Sequence, residues 1–104
     1  GFPLKAVSDG YVSRIKVSIS GYGKAIYINH PDGKTSVYAH LKKFSEPIVF
    51  QVRKKQYETQ SYEVELFIEP TELPVSKNEI IGFSGNTGGS FGPHLHFELR
   101  ETTT

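Results

Sequence analysis

Three consecutive runs rich in β-branched and aromatic residues, Tyr11 to Ile19, Lys24 to His30 and Lys34 to Leu41, are separated only by Gly21-Tyr22-Gly23 and Pro31-Asp32-Gly33. This punctuation constrains the fold more than any other feature, because strand-length runs joined by such short turns leave room for antiparallel pairing and little else. Glycine accepts positive φ and aspartate bonds its own backbone, so Asp32-Gly33 is a hairpin turn whose flanking strands pair antiparallel. A chain of 104 residues fits one domain, burying roughly 60 to 70% of the surface its unfolded form exposes.

Composition narrows the function classes. With 12 basic and 11 acidic residues the formal charge is +1, so no global field favours nucleic acid or an anionic membrane. Cysteine, methionine and tryptophan are absent. That removes disulfides, thiolate metal sites and cysteine nucleophiles, and leaves His and carboxylates as the only metal ligands. No apolar run approaches the ~20 residues that span a bilayer, and no charged-then-apolar leader is present; a mature or trimmed segment is the expectation.

The texture changes between Ser45 and Ser76. Pro47 opens a run, Ile48 to Gln60, whose apolar positions Ile48, Val49, Val52 and Tyr57 suit a short helix. Tyr62, Val64, Leu66 and Ile68 then alternate with Glu63, Glu65 and Phe67, the period of a half-buried strand that Glu69-Pro70 stops. The whole stretch reads as an insertion laid on the edge of the strand framework. Ile80 to Ser84 and Pro93 to Arg100 supply the last strands. The glycine-rich link between them, Gly85 to Gly92, lacks the Lys-Ser/Thr ending and following helix of a phosphate-binding loop.

The candidate chemistry lies in the histidines. In Pro93-His94-Leu95-His96-Phe97-Glu98-Leu99-Arg100, strand alternation puts His94, His96, Glu98 and Arg100 on one face and sends Leu95, Phe97 and Leu99 to the core. Two imidazoles about 7 Å apart along a strand can approach one metal if a neighbouring strand adds ligands; the same pattern also suits two polar residues on a wet face. In Tyr38-Ala39-His40-Leu41, alternation groups Val37, Ala39 and Leu41 against Ser36, Tyr38 and His40. His40 is thereby a candidate for the same cleft, where an imidazole can exchange a proton near neutral pH; a surface histidine beside a hairpin is the plainer alternative. His30, before the turn, is expected to cap it or pack at the strand end. Glu98 is expected to orient an imidazole rather than bind metal, and Asp9 to serve a turn. Arg53, Lys54 and Lys55, followed by Glu58, read as a solvated helix face, and Tyr57 and Tyr62 beside them make a weak case for carbohydrate or peptide contact.

Gly21-Tyr22-Gly23-Lys24, Tyr38-Ala39-His40-Leu41, Gly85-Asn86-Thr87-Gly88 and Gly92-Pro93-His94-Leu95-His96-Phe97-Glu98, in this order and after an opening Pro3 to Val12, resemble the lysostaphin or LytM-like zinc endopeptidases that cut bacterial peptidoglycan. The resemblance covers nearly the whole chain apart from Ser45 to Ser76. It implies an all-β fold of the duplicated-hybrid-motif kind, an antiparallel β-sheet or barrel with a short helix-plus-strand insertion. It also implies that His96 is a zinc ligand, that His40 and His94 assist the attacking water or stabilise the oxyanion, and that the protein works outside the bacterial cytoplasm on peptidoglycan peptides.

One part of the family pattern is missing. The other two zinc ligands come from a His-x-x-x-Asp motif before the strand that resembles Phe2 to Val7, and no histidine here precedes His30. Residues 1–104 are therefore expected to be a single, N-terminally incomplete peptidase domain, inactive by itself, with two ligands expected upstream. A degenerate relative has no chemical reason to keep His40, His94 and His96 together. The rival reading is a metal-free regulatory module that binds peptidoglycan or activates a cell-wall amidase. A barrel of the biotinyl or lipoyl type needs an exposed lysine at a hairpin tip; Lys34 is its one candidate, and the His-Leu-His context argues against it.

Overall fold

The structure is a computed structural model that describes residues 2–85 and 96–102. Among these described residues nine strands and one helix follow in the order β1 (Pro3–Lys5), β2 (Gly10–Val17), β3 (Lys24–Asn29), β4 (Lys34–Ala39), β5 (Leu41–Phe44), α1 (Glu46–Thr59), β6 (Val64–Phe67), β7 (Pro74–Val75), β8 (Ile80–Ser84) and β9 (His96–Glu101). They form two antiparallel sheets. The smaller runs β1-β8-β5; the larger runs β6-β2-β3-β4-β9, with β7 pairing the start of β2 beside β6. The expected all-β architecture is observed, and among the described residues the sheets are separate and do not close into a barrel.

The meander forms as its turns dictate. Gly33 sits at φ 84°, the Asp32 carboxylate accepts a hydrogen bond from the Lys34 N–H at 3.0 Å, and β3 pairs β4 antiparallel. In β2 the pairing with β3 skips from Val12 to Arg14. The extra residue, Ser13, is a β-bulge that lets both Val12 and Ile15 turn inward despite their odd spacing.

One core occupies the space between the sheets. Ile15, Ile26, Ile28 and Tyr38 from the large sheet meet Leu4, Leu41 and Ile81 from the small one. Helix α1 closes this core with Ile48 and Val52, and β6 adds Val64 and Leu66. Residues 45–76 thus do more than lie on the sheet edge: β6 is an edge strand, but α1 supplies core. The helix begins two residues before the expected Ile48, with Ser45 as N-cap and Pro47 in its first turn, where a missing N–H costs nothing. Gln60 ends it in the left-handed conformation. Tyr57, grouped with the apolar positions by sequence, is 86% exposed; the inward line runs through Ile48 and Val52, and one residue beyond its next position turns the side chain about 100° outward.

The outward face of the large sheet has its own smaller cluster of Ala25, Tyr27, Val37 and Ala39, with Tyr22 against it. On β9 the expected burial of Leu95, Phe97 and Leu99 is only partly met. Leu95 lies outside the described residues, Phe97 sets its ring edge on Tyr38 at 5.3 Å yet stays 44% exposed, and Leu99 is 55% exposed. Phe97 and Leu99 face the core side, but among the described residues β9 is the last strand of the sheet and is paired on one flank, by β4.

Gly10 opens β2 where no side chain fits: a Cβ would stand 2.2 Å from the Asn29 carbonyl oxygen and 3.0 Å from His30 Nδ1. Gly10→Ala is expected to force β2 from β3 and cost about 1–3 kcal/mol, read as a lower urea midpoint with an unchanged slope. No helix among the described residues is long and apolar enough to cross a membrane.

Candidate active site

Strand alternation breaks at His40. Strand β4 ends at Ala39, β5 begins at Leu41, and His40 between them adopts φ 60°, a left-handed conformation that costs a residue with a Cβ about 1–2 kcal/mol. Pairing holds it there: β4 is fastened to β3 and β9, β5 to β8, and the His40 N–H donates to the Tyr22 carbonyl at 2.8 Å. The consequence corrects the face assignment made from sequence. Leu41 joins Tyr38 in the main core, while the His40 ring leaves the Tyr38 side and meets Tyr22, edge to face, with centroids 6.2 Å apart. His40 is nearly buried there, 7% exposed.

Tyr22 is held from both ends. Gly21 and Gly23 take φ of 64° and 66°, so the loop between β2 and β3 turns sharply around it. Its hydroxyl donates to the Glu98 carboxylate on β9. Arg100 braces the pair, its Nε 3.1 Å from Glu98 Oε1 and its Nη2 3.0 Å from Oε2 and 3.2 Å from the Tyr22 oxygen. The hydrogen bond to a carboxylate raises the Tyr22 pKa above its ordinary value, with desolvation adding to the effect. Glu98→Gln removes the charge that holds the proton, so the tyrosine absorbance titration of the variant is expected to lose one high-pH step relative to the parent; coincident curves would dismiss the bond.

The histidines of the His-Leu-His segment fall differently in the description. His94 lies outside the described residues. His96 is described as the first residue of β9, its backbone opposite Ala39, the residue before His40. Glu98 is opposite Val37 and engages Tyr22 and Arg100. His30, by contrast, is a structural latch: its Nδ1 is 2.8 Å from the Asp9 carbonyl and its Nε2 2.8 Å from the Ser36 hydroxyl, joining the start of β2 to β4. Asp9 also accepts a hydrogen bond from the Lys77 N–H at 2.7 Å, in keeping with a turn role.

Tyr22 and Arg100 are the site residues that reasoning from sequence left without a role. The signal for Tyr22 was present, a bulky aromatic between two glycines; for Arg100 it was only its place on the Glu98 face. From this corner the outer face continues into an open cleft of about 360 Å³ over Tyr27, where Arg14 stacks at 4.6 Å and Arg100 approaches to 5.9 Å. Arg14 is paired with Glu65 at its other side.

The cleft is lined by Ser13, Asn29, Thr35 and Arg100 among others and does not include His40 or Tyr22; an imidazole is in general able to exchange a proton near neutral pH. Among the described residues no three His, Asp or Glu side chains gather closely enough to hold a metal ion, so the described residues alone do not constitute a zinc site.

Comparison with known proteins gives the family. The model of Peptidase family M23 matches residues 1–57. Over 100 residues the chain is 36% identical to the DD-carboxypeptidase/endopeptidase Mpg of Neisseria meningitidis serogroup B, covering 96% of this chain and 17% of that protein. It is 32% identical over 99 residues to lysostaphin of Staphylococcus staphylolyticus, covering 94% of this chain and 16% of that protein. The chain thus spans about a sixth of the length of these relatives. The catalytic domain of the antimicrobial peptidase lysostaphin from Staphylococcus simulans superposes with a TM-score of 0.69 at 30% identity, over all of this chain and 62% of that one. A match that takes in more than half of the chain, including both glycine-flanked Tyr22 and His40, makes it a member of Peptidase family M23.

Proposed function

We propose that this chain belongs to a zinc-dependent endopeptidase that cleaves the peptide stems or cross-bridges of bacterial peptidoglycan outside the cytoplasm. Residues 1–104 form part of one catalytic domain, with residues 45–76 inserted in it. His96 is one zinc ligand, and the others do not lie among the described residues. His40 and His94 move the proton of the attacking water and balance the charge that develops on the scissile carbonyl oxygen. Zinc, when bound, supplies the Lewis acidity that polarises that carbonyl.

The observation that carries this reading is the left-handed turn at His40. It brings an imidazole to the outer face, directly after Ala39, the residue paired with His96, in a chain of the M23 family. Tyr22 walls one side of the ring, and Glu98 with Arg100 keeps Tyr22 in place, so the imidazole is positioned before substrate arrives. The names of the relatives, an endopeptidase and an antimicrobial peptidase, point to the same chemistry.

The test is the metal content of the full natural polypeptide, purified without added metal and measured by elemental mass spectrometry, together with digestion of purified peptidoglycan. About one zinc per chain, with new amino termini released from the peptidoglycan, is the expected result. No zinc after zinc is added back, and no cleavage, would sink the reading and favour a metal-free module that binds peptidoglycan or a cell-wall amidase.

A further inference from the structure

The cleft over Tyr27 carries three charged side chains, and each of them is matched. Arg14 is paired with Glu65, Arg100 with Glu98 and Glu101 with Lys34. Both guanidinium groups converge on one phenol ring, Arg14 at 4.6 Å and Arg100 at 5.9 Å from its centre. Each is tied to its carboxylate through Nε and Nη2, so among the described residues the Nη1 donors of both are unspent.

The uncharged lining has a direction. The Ser13 hydroxyl donates to Asn29 Oδ1 at 2.9 Å, with the Tyr27 carbonyl next at 3.3 Å, and the Thr35 hydroxyl donates to the same Asn29 oxygen at 3.0 Å. Thr35 has then given its one proton, so across its 2.7 Å contact with Thr102 the Thr102 hydroxyl is the donor. Three hydroxyl protons therefore run inward toward Asn29, whose own amide donates to the Tyr11 hydroxyl. The oxygens of Ser13 and Thr102 keep lone pairs to accept from a ligand. Phe67, which also lines the cleft, is 76% exposed, and the negatively polarised face of its ring receives C–H groups.

This lining suits a ligand without net charge, whose groups both donate and accept hydrogen bonds and which has a C–H face for Phe67. A sugar ring combines the three. Phosphate and carboxylate find each guanidinium already neutralised. An extended peptide is recognised by joining a sheet edge, and the strands beneath the cleft are paired on both flanks, β2 by β6 and β3, and β3 by β2 and β4. The space, about 360 Å³, falls within the roughly 300–1,000 Å³ of small-ligand sites. We propose that the cleft binds a neutral sugar ring of a glycan, at a site that His40 and Tyr22 do not line. The proposal does not depend on the peptidase reading, because its test reads binding and not cleavage.

The test is a calorimetric titration of the full natural polypeptide with the trimer of N-acetylglucosamine, and separately with N-acetyl-alanyl-alanine amide and with inorganic phosphate. The sugar is expected to bind saturably, and the peptide and phosphate more weakly. Phe67→Ala is expected to lose about three- to tenfold in sugar affinity and Phe67→Tyr to keep it. Thr102→Val, which removes the hydroxyl and keeps the shape, is expected to lose about fivefold. Thermal melts check the folding of each variant, and should Phe67→Ala melt early, Thr102→Val decides. No saturable binding of the sugar, binding of the peptide or of phosphate as tight as that of the sugar, or undiminished sugar affinity in either folded variant that lacks the ring or the hydroxyl would each overturn the proposal.

Discussion

His96→Ala, made in the full natural polypeptide, is expected to abolish both zinc retention and peptidoglycan hydrolysis, whereas His40→Ala is expected to keep the metal and lose rate. The two substitutions separate a ligand from a proton carrier. A zinc ion held by three protein ligands does not survive the loss of one at ordinary concentrations, so the first variant should fail in the metal analysis before it fails in the assay. Loss of a positioned acid or base lowers kcat by about 10²–10⁴-fold with little change in KM. Hydrolysis retained by His96→Ala would remove the zinc role from that residue, and zinc lost from His40→Ala would move His40 from proton transfer to coordination. Alanine at position 40 keeps the left-handed strain and loses the contact with Tyr22, so a thermal melt of each variant should accompany the kinetics.

Ile28→Ala is expected to be the most damaging single change to the fold itself. Ile28 is fully buried on β3, whose backbone is paired on both sides, by β2 and by β4. Strands fastened on both flanks cannot collapse into the space that three lost carbons leave, so transfer and cavity costs add, to about 2–5 kcal/mol. A domain of this size is stable by only roughly 5–15 kcal/mol in total, and the melting temperature should fall by on the order of 10 °C or more. A drop of only a degree or two would mean that the core between the sheets is looser than its geometry shows. Position 28 also tests the separation of roles, since it lies on the opposite face of β3 from Tyr27 and the candidate cleft.

Much of this arrangement was legible in the residue order, and for local reasons. Gly33 at positive φ and the Asp32 carboxylate on the Lys34 N–H are determined within a few residues, so the hairpin of β3 and β4 could be read from Asp32-Gly33 alone. Ile80–Ser84 forms a strand with the limits read from sequence, and the helix that Pro47 was read to open forms, though it starts at Glu46 rather than Ile48. The family, too, was visible in the ordered glycine and histidine motifs.

What only the tertiary structure decided depends on pairings between residues far apart in the chain. Nothing local marks His40 as left-handed; β9 and β8 hold it there by pinning the strands on either side, and alternation read through Tyr38-Ala39-His40-Leu41 therefore put both His40 and Leu41 on the wrong faces. The bulge at Ser13, the half-exposed Phe97 and Leu99 on an edge strand, and the division into two sheets have the same origin. So has the meeting of Tyr22 with Glu98 and Arg100, more than 70 residues away. Turn chemistry and side-chain period act over a few bonds and are written in the sequence. Which strand lies beside which is settled by closing long loops for a shared core, and that balance is struck by the whole chain at once.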